Sequence, residues 1–462
     1  MKIARPFVEC LLVAVLFCAG DSALAAPETE EQQPDPDRIS DQPKPLVTPD
    51  AIERPKPLIE IGDPFLESGP IGEAIQLPSG AVWQPSVQVF GTYRTAVQAF
   101  HDGDVTMSEW ANRLDLFANL QLSGTERVLV GIRPLDDGVN FTGYRIDGNK
   151  GPEDEYNVDI TTLFFEGDIS EMFPNADPHD RRATDFGIAV GRQEMLIQEG
   201  LLINDFVDAV GIVRNNVLPE SAANIRHTFV YGWNEIHRDD NIEENGVHLF
   251  GLFNQIDAPK NTIDVDLIYI HDPSDWNSGF YWGVSTVQRI GHINTSFRAV
   301  GSRATDGESA AVSDGTLLLA EVSWTPPESH DLVYVNVFWG IDEFASASRG
   351  PDRGGPLGRT GILFAAVELG RYGSALSNRA DNAWGGAIGY QAYFDPWRRK
   401  QLILECGVRR PTMGDRDTAA AAGARYRQAI GQEWELQLDV FGSIEESHDN
   451  GFGSRIAIRR EF

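Results

Sequence analysis

Period-two alternation over stretches of a dozen residues constrains this chain more than any other feature. In Trp110–Leu122 (WANRLDLFANLQL) the even positions carry Trp110, Leu114, Leu116, Ala118, Leu120 and Leu122. The odd positions carry Arg113, Asp115, Asn119 and Gln121. Side chains alternate faces along a strand, so this is one strand with an apolar and a polar face. Globular strands average ~5–6 residues, whereas a membrane-crossing strand needs ~9–11. The pattern recurs. Ile263, Val265, Leu267 and Tyr269 oppose Asp264 and Asp266. Val333, Val335, Val337 and Trp339 oppose Tyr334 and Asn336. Leu402, Leu404, Cys406 and Val408 oppose Glu405 and Arg409, and Leu436, Leu438 and Val440 oppose Gln437 and Asp439. One face suits lipid and the other a wet lumen, which predicts an all-β, transmembrane antiparallel β-barrel.

Candidate strands fall at 86–100, 109–123, 126–134, 156–167, 185–193, 207–216, 224–236, 246–256, 261–271, 279–290, 292–302, 315–326, 330–342, 382–394, 400–410, 418–430, 434–446 and 451–462. That gives about 18 strands, an even number, as bacterial single-chain barrels require. Tight connections such as Ser123-Gly124-Thr125, Ala258-Pro259-Lys260 and Gly431-Gln432 alternate with long ones at 134–155, 237–245, 271–278, 303–314 and 343–381. The run 361–368 (GILFAAVE) could be a further strand, which would force a recount to 16 or 20, and 168–184 is long for a tight turn. Trp110, Trp233, Trp282, Trp339 and Trp384 lie beside long loops, and Trp324, Trp397 and Trp434 beside short turns, as two interfacial girdles would. Ile456, Ile458 and terminal Phe462 share one face. This resembles the C-terminal assembly signal of bacterial outer-membrane proteins, and implies the barrel assembly machinery and outer-membrane lipid as partners.

The first residues read as an address. Lys2 and Arg5 precede the apolar run Cys10–Gly20, and Ala23-Leu24-Ala25 supplies a small-x-small cleavage site. Residues 1–25 are therefore expected to be a signal peptide, too short to span a membrane. Residues 26–82 form a second unit. Pro27–Gly80 holds 11 of 26 prolines, with 12 acidic and 4 basic residues, a composition that cannot offset its chain entropy by burial. It is expected to be a largely disordered periplasmic arm, with Pro57–Ile61 more a spacer than a docking strand. Residues 83–462 form the barrel, exported to the outer membrane.

The formal net charge of −31 argues against nucleic acid as a partner. With Cys406 the only cysteine beyond residue 18, no internal disulfide or Cys-based zinc site follows. No hydrolase, zincin or nucleotide-binding signature occurs, so no catalytic residue and no cofactor is expected. His237–Asn245 and His271–Asp275 offer oxygen ligands that could bind calcium, although a solvated loop explains them as well.

By parity the lumen receives Arg113, Arg298, Arg409, Arg425, Arg427, Arg455 and Arg459. It also receives Asp115, Asp264, Asp266, Glu405, Glu435 and Asp439. Arginine outnumbers lysine 32 to 6, and its planar fork suits carboxylate pairing. These rows are either a solute-selecting path or a cross-strand lattice that stiffens the wall.

Gly187–Asn216 (GIAVGRQEMLIQEGLLINDFVDAVGIVRNN) interrupts the texture. A strand ends in Gly191-Arg192-Gln193. An apolar run with helical spacing, Leu196, Ile197, Leu201 and Leu202, then leads to Asn204, Asp205 and Asp208. The segment resembles the alginate-export and related porin-like outer-membrane families over about 30 residues. The resemblance implies passive passage of small solutes, sugar acids or a polysaccharide, with Arg192, Asp205 and Asp208 near a constriction. The mixed-sign lumen departs from a strongly basic alginate path. Rival readings are a surface structural or adhesive barrel with a blocked lumen, and a secreted all-β carbohydrate-active protein.

Overall fold

The computed structural model describes residues 56–62, 74–148, 150–178, 184–217, 223–243, 246–273, 277–305, 307–413, 418–446 and 449–462. The expected signal peptide and most of the arm lie outside these residues.

Eighteen antiparallel strands close on themselves. They are β1 (Ser86–His101), β2 (Thr106–Gln121), β3 (Arg127–Ile132), β4 (Ile160–Asp168), β5 (Gly187–Ile197) and β6 (Ile203–Val217). They continue with β7 (Asn224–Asn234), β8 (His248–Asp257), β9 (Asn261–His271), β10 (Gly279–Ile290), β11 (Ile293–Ala304) and β12 (Gly315–Trp324). The last six are β13 (Leu332–Glu343), β14 (Asp381–Tyr393), β15 (Lys400–Pro411), β16 (Ala419–Ile430), β17 (Trp434–Glu445) and β18 (Gly451–Glu461). Each pairs with the next in the series, and β18 pairs with β1 from Phe452↔His101 to Glu461↔Thr92. Every candidate strand has its counterpart, with ends shifted by a few residues. The run 361–368 is not a strand, so no recount is needed. The long turn after β4 holds a one-turn helix, Ile169–Met172, capped by the Asp168 carboxylate, which accepts from Ser170 N–H at 2.9 Å.

Alternation does what the sequence required of it. Val97, Trp110, Leu163, Phe229, Leu252, Leu267, Phe297, Val337, Trp339, Trp384 and Ile456 lie exposed on the outer face. The residues between them on each strand point inward. Such an apolar outer band with a closed hydrogen-bond ladder is what a bilayer demands, since no backbone group is left unpaired against hydrocarbon.

The last strand closes on the first. The Phe462 N–H donates to Gly91 O at 3.1 Å and Gly91 N–H donates to Phe462 O at 2.9 Å, while the Arg460 guanidinium lies 5.9 Å from the Phe462 ring centre. Below that point β1 outruns β18, and Ile59–Ile61 fills the vacant edge as a short strand, with Ile59↔Val89 and Ile61↔Val87 in register. The spacer reading of Pro57–Ile61 is thereby corrected: an exposed strand edge carries unpaired donors and acceptors, and this segment satisfies them. Ile75–Gln76 and Val82–Trp83 form a small hairpin of their own.

A candidate pore lining and constriction

The interior is not an empty tube. Strand β5 stays against β4 only as far as Arg192↔Leu163, and β6 joins β7 only from Asp208 onward. Between those points β5 and β6 pair with each other and with no other strand of the wall, from Gln193↔Val207 to Ile197↔Ile203. This hairpin therefore leaves the wall and crosses the lumen. Gly191 marks the departure: its φ is +124°, and a Cβ there would sit 2.1 Å from Leu163 O. At the tip, Gln198 donates to the Asp266 carboxylate on β9 at 2.7 Å, and Leu202 packs against Gly283 on β10. The helical spacing noted around Leu196–Leu202 is thus a strand turning through a tight loop, in which Leu201 and Leu202 are buried and Leu196 is exposed.

The segment 344–380, between β13 and β14, folds into the same space. Ser346 Oγ donates to Leu201 O at 2.8 Å, Ala347 N–H donates to Leu202 O at 2.8 Å, and Ser348–Arg349 pairs in parallel with Ile203–Asn204. Farther along, the Glu405 carboxylate of β15 accepts Ile362 and Leu363 N–H at 3.0–3.1 Å and the Tyr334 hydroxyl. Gly361 sits beneath that carboxylate at φ +59°, where a Cβ would come within 2.5 Å of it. Gln98 on β1 donates to Leu369 O, and Arg113 on β2 donates to Glu368 O at 2.8 Å. The segment thus bridges the lumen from the hairpin to β15 and to β1–β2. The apolar run GILFAAVE, which raised the strand count, supplies Leu363 and Phe364 to a core inside the barrel.

The inward positions change character along the strands. On β7–β13 the loop-end inward positions are apolar and buried: Val230, Leu249, Ile268, Ile270, Tyr281, Leu317 and Phe338 among them, packed against Leu202, Ile203, Leu357 and Phe364. On β16–β2 the loop-end positions Ala96, Phe100, Ala111 and Phe441 pack on Val367, Leu369 and Tyr372 of the inserted segment, and the inward positions farther toward the short turns are charged. Glu435, Arg459, Arg94 and Arg113 form one cross-strand row, and Arg425, Asp439 and Arg455 another. Asp439 is shared by Arg425 at 2.6 Å and Arg455 at 2.7 Å. Asp115 holds Arg113 at 3.0 Å and Arg133 at 2.8 Å. Glu435 lies 3.6 Å from Arg427 and 3.7 Å from Arg459. Arg409 pairs with Asp381 at 3.2 Å, and Arg298 with Glu321. Every arginine that parity assigned to the lumen therefore has an acidic partner.

Arg94 is different. It is half-buried and has no hydrogen-bond or ion-pair partner among the described residues; the charges acting on it are chiefly Arg455, Arg113 and Arg425, with Glu368 opposing. Sequence reading passed over it, although the parity of 86–100 puts it beside Arg113. Asp352, Arg353 and Glu368, from the inserted segment, were also missed because nothing local shows that a loop turns inward. Burial would raise the Asp352 carboxyl, but Arg353, Arg133 and Arg113 hold it below its ordinary range.

Of the three residues expected at a constriction, Arg192 and Asp208 face each other across β5 and β6 in a two-point contact of 2.9 and 3.0 Å, and Glu235 adds a second acid to Arg192 at 2.8 Å. Asp205 is not open to water. It is 1 % exposed and accepts from Ser348 Oγ at 2.6 Å, from His237 N–H at 3.0 Å and from Phe206 N–H at 2.8 Å. It fastens three segments together. All three border a loop-end cavity of about 870 Å³, with Arg133, Asp136, His237 and Glu243. A separate cavity of about 710 Å³ opens between the hairpin and β8–β11, with Gln193, Asp264, Asp266 and Arg298 on its wall.

In the loops expected to offer calcium ligands, Asp239 is already engaged by Arg379 at 2.7 Å and Ser346 N–H at 2.9 Å. Glu244, Asn245, Ser274 and Asp275 lie outside the described residues.

No protein-family model matches the chain, and no curated protein matches it. Its fold is similar to solved outer-membrane proteins of Pseudomonas aeruginosa. OpdK solved with vanillate aligns with a TM-score of 0.54 at 12% identity, over 81% of this chain and 98% of that one. OccK11 (OpdR) aligns at 0.53 and 12% identity over 81% and 96%, and OccK5 (OpdH) at 0.53 and 10% over 81% and 98%. At such identities the likeness establishes the closed barrel architecture.

Proposed function

We propose that this chain is a porin-like outer-membrane channel for passive passage of small anionic solutes along the β16–β2 side of its lumen. The observation that carries the reading is Arg94, a guanidinium without an acidic partner in a row of paired arginines. A fixed cation in a confined, low-dielectric passage attracts anions and repels cations more strongly than it would in water. The paired arginines alongside offer planar donors at intervals, so an anion can move from one to the next without being held fast.

The outward apolar band supports insertion in lipid, and Phe462, locked into the seam, supports recognition by the barrel assembly machinery. The short-turn end would face the periplasm, where the arm begins. The neighbour solved with vanillate supports a small-solute cargo. Sugar acids, the cargo class that the alginate-export resemblance implied, carry the same negative charge.

Liposome swelling tests this reading. Purified barrel should admit a small sugar acid faster than the neutral sugar of equal size. Equal rates would remove the charge preference. The inserted hairpin and loop support a second reading, a barrel with a blocked lumen, which absence of any single-channel conductance would establish.

A further inference from the structure

We propose that the loop-end cavity holds a divalent transition-metal site of the Zn²⁺ class, formed by Glu235, His237 and Glu243. One ligand atom from each lies within 4.8 Å of those of the other two. The backbone builds this juxtaposition. His237 and Glu243 face each other in an antiparallel bridge, closed by Arg238 N–H donating to Ile242 O at 3.0 Å and Asn241 N–H donating to Arg238 O at 2.9 Å.

A second observation concerns the imidazole alone. Its Nδ1 lies 3.1 Å from both oxygens of buried Asp205, which is itself fixed by Ser348 and by backbone N–H groups. A carboxylate behind a histidine sets the tautomer and aims the remaining nitrogen, as it does behind metal-ligating histidines. Charge gives a third. Asp208, Glu235 and Glu243 act together on Arg192, which Asp208 grips at two points and Glu235 at one. A dication would offset the acidic excess. One nitrogen with two carboxylate oxygens matches zinc and its neighbours, whereas calcium takes 6–8 oxygens. The site does not depend on which solute the channel passes.

The test uses the full-chain barrel in detergent, with intact folding checked by heat-modifiable migration. ZnCl₂ is added with excess CaCl₂, and zinc retained after gel filtration is measured. Wild type should retain one zinc per chain. Glu243→Gln, an exposed position that should not disturb folding, and His237→Gln should each bind about tenfold more weakly or worse. With Cu²⁺ as probe, electron paramagnetic resonance should show a single nitrogen ligand that His237→Gln abolishes. Zinc retention equal in wild type and Glu243→Gln, no retention by wild type, or displacement of zinc by calcium would each overturn the proposal.

Discussion

The loop-end interior of β7–β13 and the turn-side part of the β16–β2 wall are made from the same kind of strand and hold opposite contents. On β7–β13 the inward positions are apolar because they are covered. Ile268, Tyr281, Leu317 and Phe338 meet Leu202, Ile203 and Phe364 from the inserted segments. On the β16–β2 wall Phe100, Ala111 and Phe441 are likewise covered at the loop end, by Val367, Leu369 and Tyr372, and the inward positions farther toward the short turns are charged. There Arg425, Arg455 and Arg459 find partners on neighbouring strands. Parity along a strand decides inside from outside; what the inside touches decides whether it is oily or ionic.

Truncations should separate the two regions most sharply. Phe364→Ala removes a fully buried ring from the inner core, at a cost of about 3–5 kcal/mol. Arg459→Ala on the charged wall, where that side chain is 40 % exposed, should change stability by less than about 0.5 kcal/mol. Urea unfolding midpoints of the two variants compare them directly. Similar losses would mean that the inserted segments do not form a core.

A smaller effect is expected at Glu405, the point where 344–380 is tied to β15. Glu405→Ala leaves Ile362 and Leu363 N–H and the Tyr334 hydroxyl without their acceptor, a loss of about 1–3 kcal/mol. The segment should loosen while the barrel stays closed. Single-channel conductance should then rise, and an unchanged conductance would place 344–380 away from the narrowest part of the path.

Asp205 and Asp208 sharpen the comparison further, since the sequence treats them as equals. Asp205→Asn strikes a buried acceptor shared by three segments and should destabilise by about 1–3 kcal/mol. Asp208→Asn leaves Arg192 still held by Glu235, so the loss should stay below about 1 kcal/mol. Thermal loss of the heat-modifiable form would rank them, and an inverted order would contradict the latch assigned to Asp205.

These pairs also show what the sequence could tell. Closure, strand number and the outward face were legible because lipid imposes period two on every strand, as in Trp110–Leu122. Arg425, Asp439 and Arg455 are cross-strand neighbours in the observed register, which parity along one strand does not fix. Nor was the filling of the lumen legible. Leu196–Leu202 and 361–368 are apolar for a reason that lies across the barrel, at Gly283 and Glu405, and no local pattern points there. Helical spacing at Leu196–Leu202 misled because a tight hairpin tip also brings residues four or five apart onto one side. The burial of Asp205 was hidden for the same reason, since His237 and Ser348 are remote in the chain. Arg94 was within reach of parity, but its lack of a partner emerges only when the whole row is seen.

The central claim is that anions cross beside the charged wall. Reversal potential across a salt gradient in planar bilayers tests it most directly, on wild type and Arg94→Gln. Arg94 has no hydrogen-bond or ion-pair partner to abandon among the described residues, and its replacement removes a like charge from beside Arg455 and Arg113, so the variant should fold. The account predicts anion selectivity in wild type and a clear shift toward cations in Arg94→Gln. A cation-selective wild type, or a reversal potential unmoved by the substitution, would contradict it.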